Sequence, residues 1–438
     1  MNLETIRDNP RNEVVRFSIP AIISMVMTSL INVADGFFLG HYVGKEGMAA
    51  VSLGLPIIYL FLAVGLTCSA GGSAIAGMEF GAGRRKECAE VFSQTMTTVL
   101  FLAVSLSLVL YPCLSPLAHV FRAEGETAMF FDAYYRVLLC ELPIMIINSA
   151  LGMFVRGEGH PRYYMMASSV SVVLNIVLDY LFSKYLRWGV KGIAFASLIS
   201  AAVAFAFLLF FFLKRAEVFR FVKFSFDARI LRDSLLNGLS EGIGEMSMCI
   251  SMFAYNYVIM RKVGVDGVTA FTIVGYVSFV FSMVILGFGQ GEFPLSSFCY
   301  GAGDKGLAGK VRKETNKLVF LVGACTLVVM GILSPWYSSL FVRNEEVVSM
   351  VRGGMLIFMV SFLFEPVNVV TSFFFTSIGK AKESAIISSL RGFVLLLACI
   401  CFLPLFLGMN GIWLAAPVTE GLTFLVSLRF IGKEDAKG

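Results

Sequence analysis

The chain has 438 residues, 57% of them hydrophobic and 15% charged, with 42 phenylalanines. So much apolar surface cannot be hidden inside a water-soluble globule, which excludes a soluble enzyme or binding module and implies an integral membrane protein. The net charge of +5 calls for no nucleic-acid partner, because a bias in the loop charges accounts for it.

Apolar runs long enough to cross about 30 Å of hydrocarbon fall near residues 14–39, 48–78, 91–114, 128–155, 163–183, 190–213, 234–260, 268–299, 317–340, 347–378, 384–407 and 410–430. The prediction is an all-α membrane fold with twelve transmembrane helices. Strands of alternating polarity, about ten residues each in a membrane barrel, are absent from the pattern. The two halves repeat each other. Gly44 and Gly47 recur as Gly264 and Gly267, Gly81-Ala82-Gly83 as Gly301-Ala302-Gly303, and Gly159 as Gly379, each 220 residues on. Gly192-Ile193 recurs as Gly411-Ile412 at 219. The reading is two six-helix lobes of like structure, 1–213 and 234–438, joined by a cytoplasmic linker over 214–233. An even number of spans per half returns the chain to one side, so the lobes are expected to be related by a pseudo-two-fold axis along the membrane normal, with a cavity between them.

With the N-terminus placed in the cytoplasm, the cytoplasmic segments hold 24 of the 35 Lys and Arg, Lys437 among them, and the opposite loops hold 8, including Arg343. The bias puts both termini inside a plasma membrane. The segment KRAEVFRFVKFSFDARILRD (214–233) mixes Phe with Lys and Arg, which suits either an interfacial helix on anionic lipid or a plain connection between the lobes.

No GxxxxGK[ST], HExxH or CxxC occurs. Gly301-Ala-Gly303-Asp-Lys-Gly306 matches GxGxxG by letters, yet it follows a membrane helix and its repeat partner at Gly81 lacks the third glycine, so both read as tight turns. The nine cysteines lie mainly inside apolar spans, and His41, His119 and His160 sit at span edges, which suggests neither metal site nor disulfide framework. No cofactor is expected.

Ionisable residues at membrane depth remain. A carboxylate there costs roughly 2.5–3.5 kcal/mol even on a lenient scale. Asp35 lies in the first span; Asn175 and Asp179 lie four apart on one face of the fifth; Ser197 in the sixth adds a hydroxyl. Taken singly, Asp35 reads as helix-to-helix glue; together the four read as a functional cluster. At the repeat offset Asp35 pairs with Tyr255, Asn175 with Leu395 and Asp179 with Cys399, so the cluster belongs to one half only. Residues needed for the fold alone tend to appear in both. The second half offers Glu241 and Glu245, Glu292, and Glu365. These and Tyr255 are candidates for substrate contact, against solvation at a helix end for the first two and pairing with Arg391 for Glu292 or Glu365.

The segments Asn32-Val-Ala-Asp35-Gly-Phe-Phe-Leu-Gly40, VGKEGMAA (43–50), the two Gly-Ala-Gly turns, Arg156-Gly-Glu-Gly159-His-Pro161 and Asn175-Ile-Val-Leu-Asp179 together resemble the multidrug and toxic compound extrusion (MATE) family over essentially the whole chain. The resemblance implies an antiporter that exchanges H⁺ or Na⁺ for drug-like, often cationic, amphiphilic compounds by alternating access, acting as a monomer among membrane lipids. It also implies an ion site at Asp35, Asn175 and Asp179, with Ser197 where relatives have Thr. Glu241 and Glu292 depart from common family residues. Alternatives are a lipid-linked carrier flippase, which calls for a basic cavity, an exporter of one metabolite, or an intramembrane enzyme, which calls for a nucleophile and base at depth.

Overall fold

A computed structural model of the chain describes residues 1–341 and 344–436. Arg343 and Lys437, counted above among the loop charges, lie outside the described residues. In chain order the helices are α1 (Leu3–Asp8), α2 (Pro10–Tyr42), α3 (Lys45–Leu53), α4 (Leu55–Gly81), α5 (Arg85–Val120), α6 (Gly125–Gly157), α7 (Pro161–Tyr180), α8 (Val190–Lys214), α9 (Ala228–Lys262), α10 (Val265–Gly301), α11 (Lys305–Phe341), α12 (Glu345–Phe358), α13 (Glu365–Ser377), α14 (Ala381–Ser389) and α15 (Leu395–Asp435). Two π-helical turns, Leu181–Tyr185 and Leu390–Val394, and a 3₁₀ turn, Met359–Leu363, interrupt them.

Ten helical stretches among the described residues are long and apolar enough to cross a membrane. Two further spans are concealed for physical reasons. α9 has 35 residues, about 50 Å at 1.5 Å per residue, but Glu241, Glu245 and its terminal charges lower its hydropathy. α15 runs through Gly408, whose φ of 55° and ψ of −133° are not helical, and this residue separates the last two expected spans. The sequence repeat is written in the backbone as well: φ is 100° at Gly44 and 88° at Gly264, 77° and 85° at Gly83 and Gly303, 98° and 76° at Gly159 and Gly379. Side-chain-bearing residues rarely adopt these angles, so the repeated letters mark repeated turns.

By packing, the chain divides into two units, Met1 with Ile23–Gly242, and Asn2–Ile22 with Ile243–Gly438. The sequence division follows helix order; the packing division places the start of α2 with the second unit and the start of α9 with the first. The two crossing points, Ile22 and Gly242, are one repeat offset apart. Glycine makes both approaches. A Cβ on Gly71 would fall 1.8 Å from the Ser234 carbonyl oxygen, and one on Gly238 1.8 Å from that of Thr67, so α4 and α9 meet backbone to backbone. In the second unit a Cβ on Gly287 would fall 2.5 Å from Ile22 Cα and one on Gly291 2.6 Å from Ser18 Cα. Backbone cannot rotate away, so Gly238→Ala is expected to cost at least the ~1–3 kcal/mol of an overpacked contact. Thermal unfolding in detergent reads this, with Gly275→Ala, which has open space around it, as the neutral control.

The first unit's core is aromatic: Phe61, Phe92, Phe131, Tyr135, Phe154 and Phe211 are all buried. Between Lys214 and Ala228 no helix forms, which removes the interfacial-helix reading of this segment. An extended strap runs there instead. Glu158 accepts from the Glu217 N–H and, at 2.7 Å, from the Val218 N–H. Ser93 Oγ accepts from Val222 N–H at 2.9 Å, while Gln94 donates to the Asp227 carbonyl at 2.7 Å and accepts from the Asp227 N–H at 3.1 Å. These side chains satisfy backbone groups that a helix would otherwise have to satisfy itself. Phe219 sinks among Phe80, Phe92 and Phe154.

Burial pushes the Glu158 carboxyl above its ordinary 4.5, and the two N–H donors offset part of this. The folded state therefore holds this proton more tightly than the unfolded chain does. Its contribution to stability is full below 4.5 and declines as pH rises through the raised value. Glu158→Gln keeps an acceptor and is expected to flatten that slope. Glu158→Ala strands two N–H groups and is expected to cost about 1–3 kcal/mol at neutral pH, both read by unfolding across a pH series.

Candidate functional site

Asp35 is carried by α2, Asn175 and Asp179 by one face of α7, and Ser197 by α8, all in the first unit. Ser197 Oγ donates to Asp35 Oδ2 at 3.4 Å and accepts from Asn175 Nδ2 at 3.2 Å. The Asp35 and Asp179 carboxyls are neighbours and interact electrostatically. Asn175 and Asp179 are 0% exposed and Ser197 6%. Beside them Tyr134 of α6 is buried and within electrostatic reach of both aspartates. Past Tyr180, the residue after Asp179, the helix gives way to the π turn Leu181–Tyr185, a local form that recurs at functional positions because it re-aims the side chains around it.

Asp35 Oδ1, Asn175 Oδ1 and both Asp179 oxygens have no hydrogen-bond donor. Buried oxygens in that state are costly, and a carboxylate pair more so. Oxygens converging from three helices without a counter-charge have the chemistry to take up a proton between the two carboxyls or to ligate a small hard cation.

The candidates from the second half of the sequence are not gathered in this way. Tyr255 is a core residue, 5% exposed and stacked on Phe271 at 4.5 Å. Glu292 is 0% exposed and accepts from Ser296 Oγ at 2.6 Å. Glu245 is half-buried on α9; Glu241, also half-buried, packs with the first unit. Glu365 opens α13, where the helix N-terminus favours a carboxylate. It accepts from Ser282 Oγ at 3.2 Å and lies 3.6 Å from Arg391 Nη2, the pairing that the sequence allowed.

Arg391 also donates to Glu420 Oε1 from Nε at 3.1 Å and Nη2 at 2.9 Å, and Asn368 donates to Glu420 Oε2 at 2.8 Å while accepting from Ser427 at 2.9 Å. Glu420, Asn368 and, in the first unit, Glu141 escaped the sequence reading. Each glutamate was visible as a lone acid within an apolar run, in VTEGL and CELPI.

The MatE family model matches residues 20–181 and again 243–402, one match per half. The multidrug export protein MepA of Staphylococcus saprophyticus is 24% identical over 422 residues, covering 95% of this chain and 92% of that protein. An outward-facing multidrug resistance MATE family transporter of the MOP superfamily superposes with a TM-score of 0.91 at 26% identity, covering 98% of this chain and 97% of that one. A MATE structure in the bent conformation gives 0.90 at 26% identity, covering 99% and 98%. Twelve transmembrane helices in two lobes, duplicated family matches over most of the length and full-length structural likeness lead to one assignment: the chain belongs to the MatE family, as a multi-pass plasma membrane protein.

Proposed function

We propose that this protein is a secondary active multidrug exporter, exchanging H⁺ or Na⁺ for amphiphilic, often cationic, organic compounds by alternating access. The observation that carries the reading is the cluster of donor-less oxygens on Asp35, Asn175 and Asp179, tied together by Ser197 and confined to one half of a duplicated MatE chain. In this reading the coupling ion enters from outside and neutralises the aspartates. α2, α7 and α8 can then close around it. Losing the ion restores repulsion between Asp35 and Asp179 and drives the helices apart.

α2 is the element that transmits this. Asp35 stands on its later half, packed in the first unit, while its earlier half packs in the second, and Pro20 lies next to the division. A proline removes one helix hydrogen bond and lowers the cost of a bend there. The protein acts as a monomer with both termini cytoplasmic; cysteines placed on the strap should react only from the inside of sealed cells. Glu245 and Glu365 are proposed to tune which cations are accepted, and the name of the staphylococcal relatives supports a broad rather than single-metabolite range.

Ethidium efflux from vesicles containing the purified protein tests the whole reading. Imposing a proton or a sodium gradient should start efflux without ATP. Collapsing both while ATP is high should stop it. Transport that persists with both gradients abolished overturns the antiporter assignment.

A further inference from the structure

Glu141 lies halfway along α6, between Cys140 and Leu142-Pro143, is 8% exposed, and has its Oε2 without a hydrogen-bond partner. It shares a face of α6 with Tyr134, two turns earlier. Asp35 is its charged neighbour, and Tyr134 lies within reach of Asp35, Asp179 and Glu141 alike. A third carboxyl thus lies within electrostatic range of Asp35.

The helices packed on α6 are α3, α4, α5, α7 and α8. Their charged residues sit at their ends: Lys45 and Glu46, Glu79, Arg85 to Glu90 with His119, Arg162, and Lys191 with Lys214. Apart from Asp179, their inner turns bring only Tyr59, Cys68, Tyr111 and Cys113 as further titratable groups. None of these residues forms an ion pair with Glu141, and on α6 itself Arg136 pairs with Asp132 while Arg156 lies over the Tyr164 ring. At the repeat offset it corresponds to Ser361, so this acid too belongs to one half only.

Its surroundings differ from those of the aspartates. Asp35, Asn175, Asp179 and Ser197 bring oxygens together from three helices, whereas Glu141 stands without hydroxyl or amide partners. A metal ion needs several oxygens; a proton needs one. Resting on the antiporter reading above, we infer that Glu141 is a separate, proton-only position of the first unit, so that each cycle moves one proton on Glu141 besides the ion held at Asp35 and Asp179. The step is a simple dissociation: the acid forms with a proton from outside and returns it to the cytoplasmic side, leaving the carboxylate.

The test counts protons per ethidium in vesicles loaded with a pH dye. In Glu141→Gln the count should fall by one while ethidium still moves under a steep gradient, and Glu141→Asp should restore it; the sodium-to-ethidium ratio should not change. An unchanged proton count in Glu141→Gln overturns the inference. Should Glu141→Gln fail to fold, infrared difference spectra of the parent and Glu141→Asp read the same group. A carboxylic acid band lost on ethidium addition and displaced by the Asp substitution supports the inference, and a spectrum identical in the two proteins overturns it. Failure of the antiporter reading looks different: the parent itself moves no ethidium under either gradient.

Discussion

Asp179→Asn and Asp35→Asn are each expected to reduce gradient-driven export to passive leak while leaving a folded protein in the membrane. Asparagine keeps the size and one acceptor oxygen but can neither bind and release a proton nor contribute negative charge to a cation. Neither aspartate has an ion-pair partner in its unit, so neutralising one leaves no stranded cation, and the fold should lose little or gain slightly. Loss of transport without loss of stability is therefore the signature. Asn175→Ala should be milder, because it removes an amide that holds Ser197 at 3.2 Å but no charge. Glu365→Gln, in the other unit, should alter which cations are exported more than whether export occurs. Efflux assays paired with detergent melting curves separate these outcomes. Normal expression, parental rates and unchanged H⁺ and Na⁺ dependence in both aspartate variants would sink the coupling assignment and turn attention to the second-unit glutamates.

The architecture was legible because hydrophobicity and glycine spacing both survive in the letters. Twelve spans follow from runs of apolar residues, and repeated positive-φ glycines carry the duplication. The strap was less legible. Its Phe, Lys and Arg pattern suits an amphipathic helix, and only the distant side chains of Ser93, Gln94 and Glu158 hold it extended. The proximity of Asp35, Asn175, Asp179 and Ser197 was readable from their cost at membrane depth and their absence from the other half. Glu420 and Glu141 were passed over despite the same signal. What separates them, a charged partner for one and none for the other, depends on helix packing between residues 29 apart for Arg391 and Glu420 and 106 apart for Asp35 and Glu141. No local pattern reports that.

Arg391→Met is expected to destabilise the second unit, by less than the roughly 3–5 kcal/mol that follows removal of one partner of a fully buried ion pair, because the arginine is only partly buried. The arginine stands in the π turn Leu390–Val394, where Gly392 leaves no room for a Cβ: it would meet Ser247 Oγ at 2.0 Å. From there one guanidinium faces Glu420 with two nitrogens and Glu365 with one, while Asn368 donates to Glu420, Ser282 donates to Glu365, and Ser427 in turn holds the Asn368 amide oxygen. Two acids share one base, so methionine leaves both uncompensated in a low-dielectric setting. The cost belongs to the stranded charges and not to the lost contact itself. Adding Glu420→Gln to Arg391→Met should accordingly recover most of the loss, because Gln can still accept from Asn368. Adding Glu365→Gln should recover less, its distance to the guanidinium being 3.6 Å against 2.9 Å for Glu420. Unfolding of the single and double variants in one detergent completes the cycle. Strictly additive losses would show that the network is not an electrostatic unit, and that Arg391 acts by packing alone.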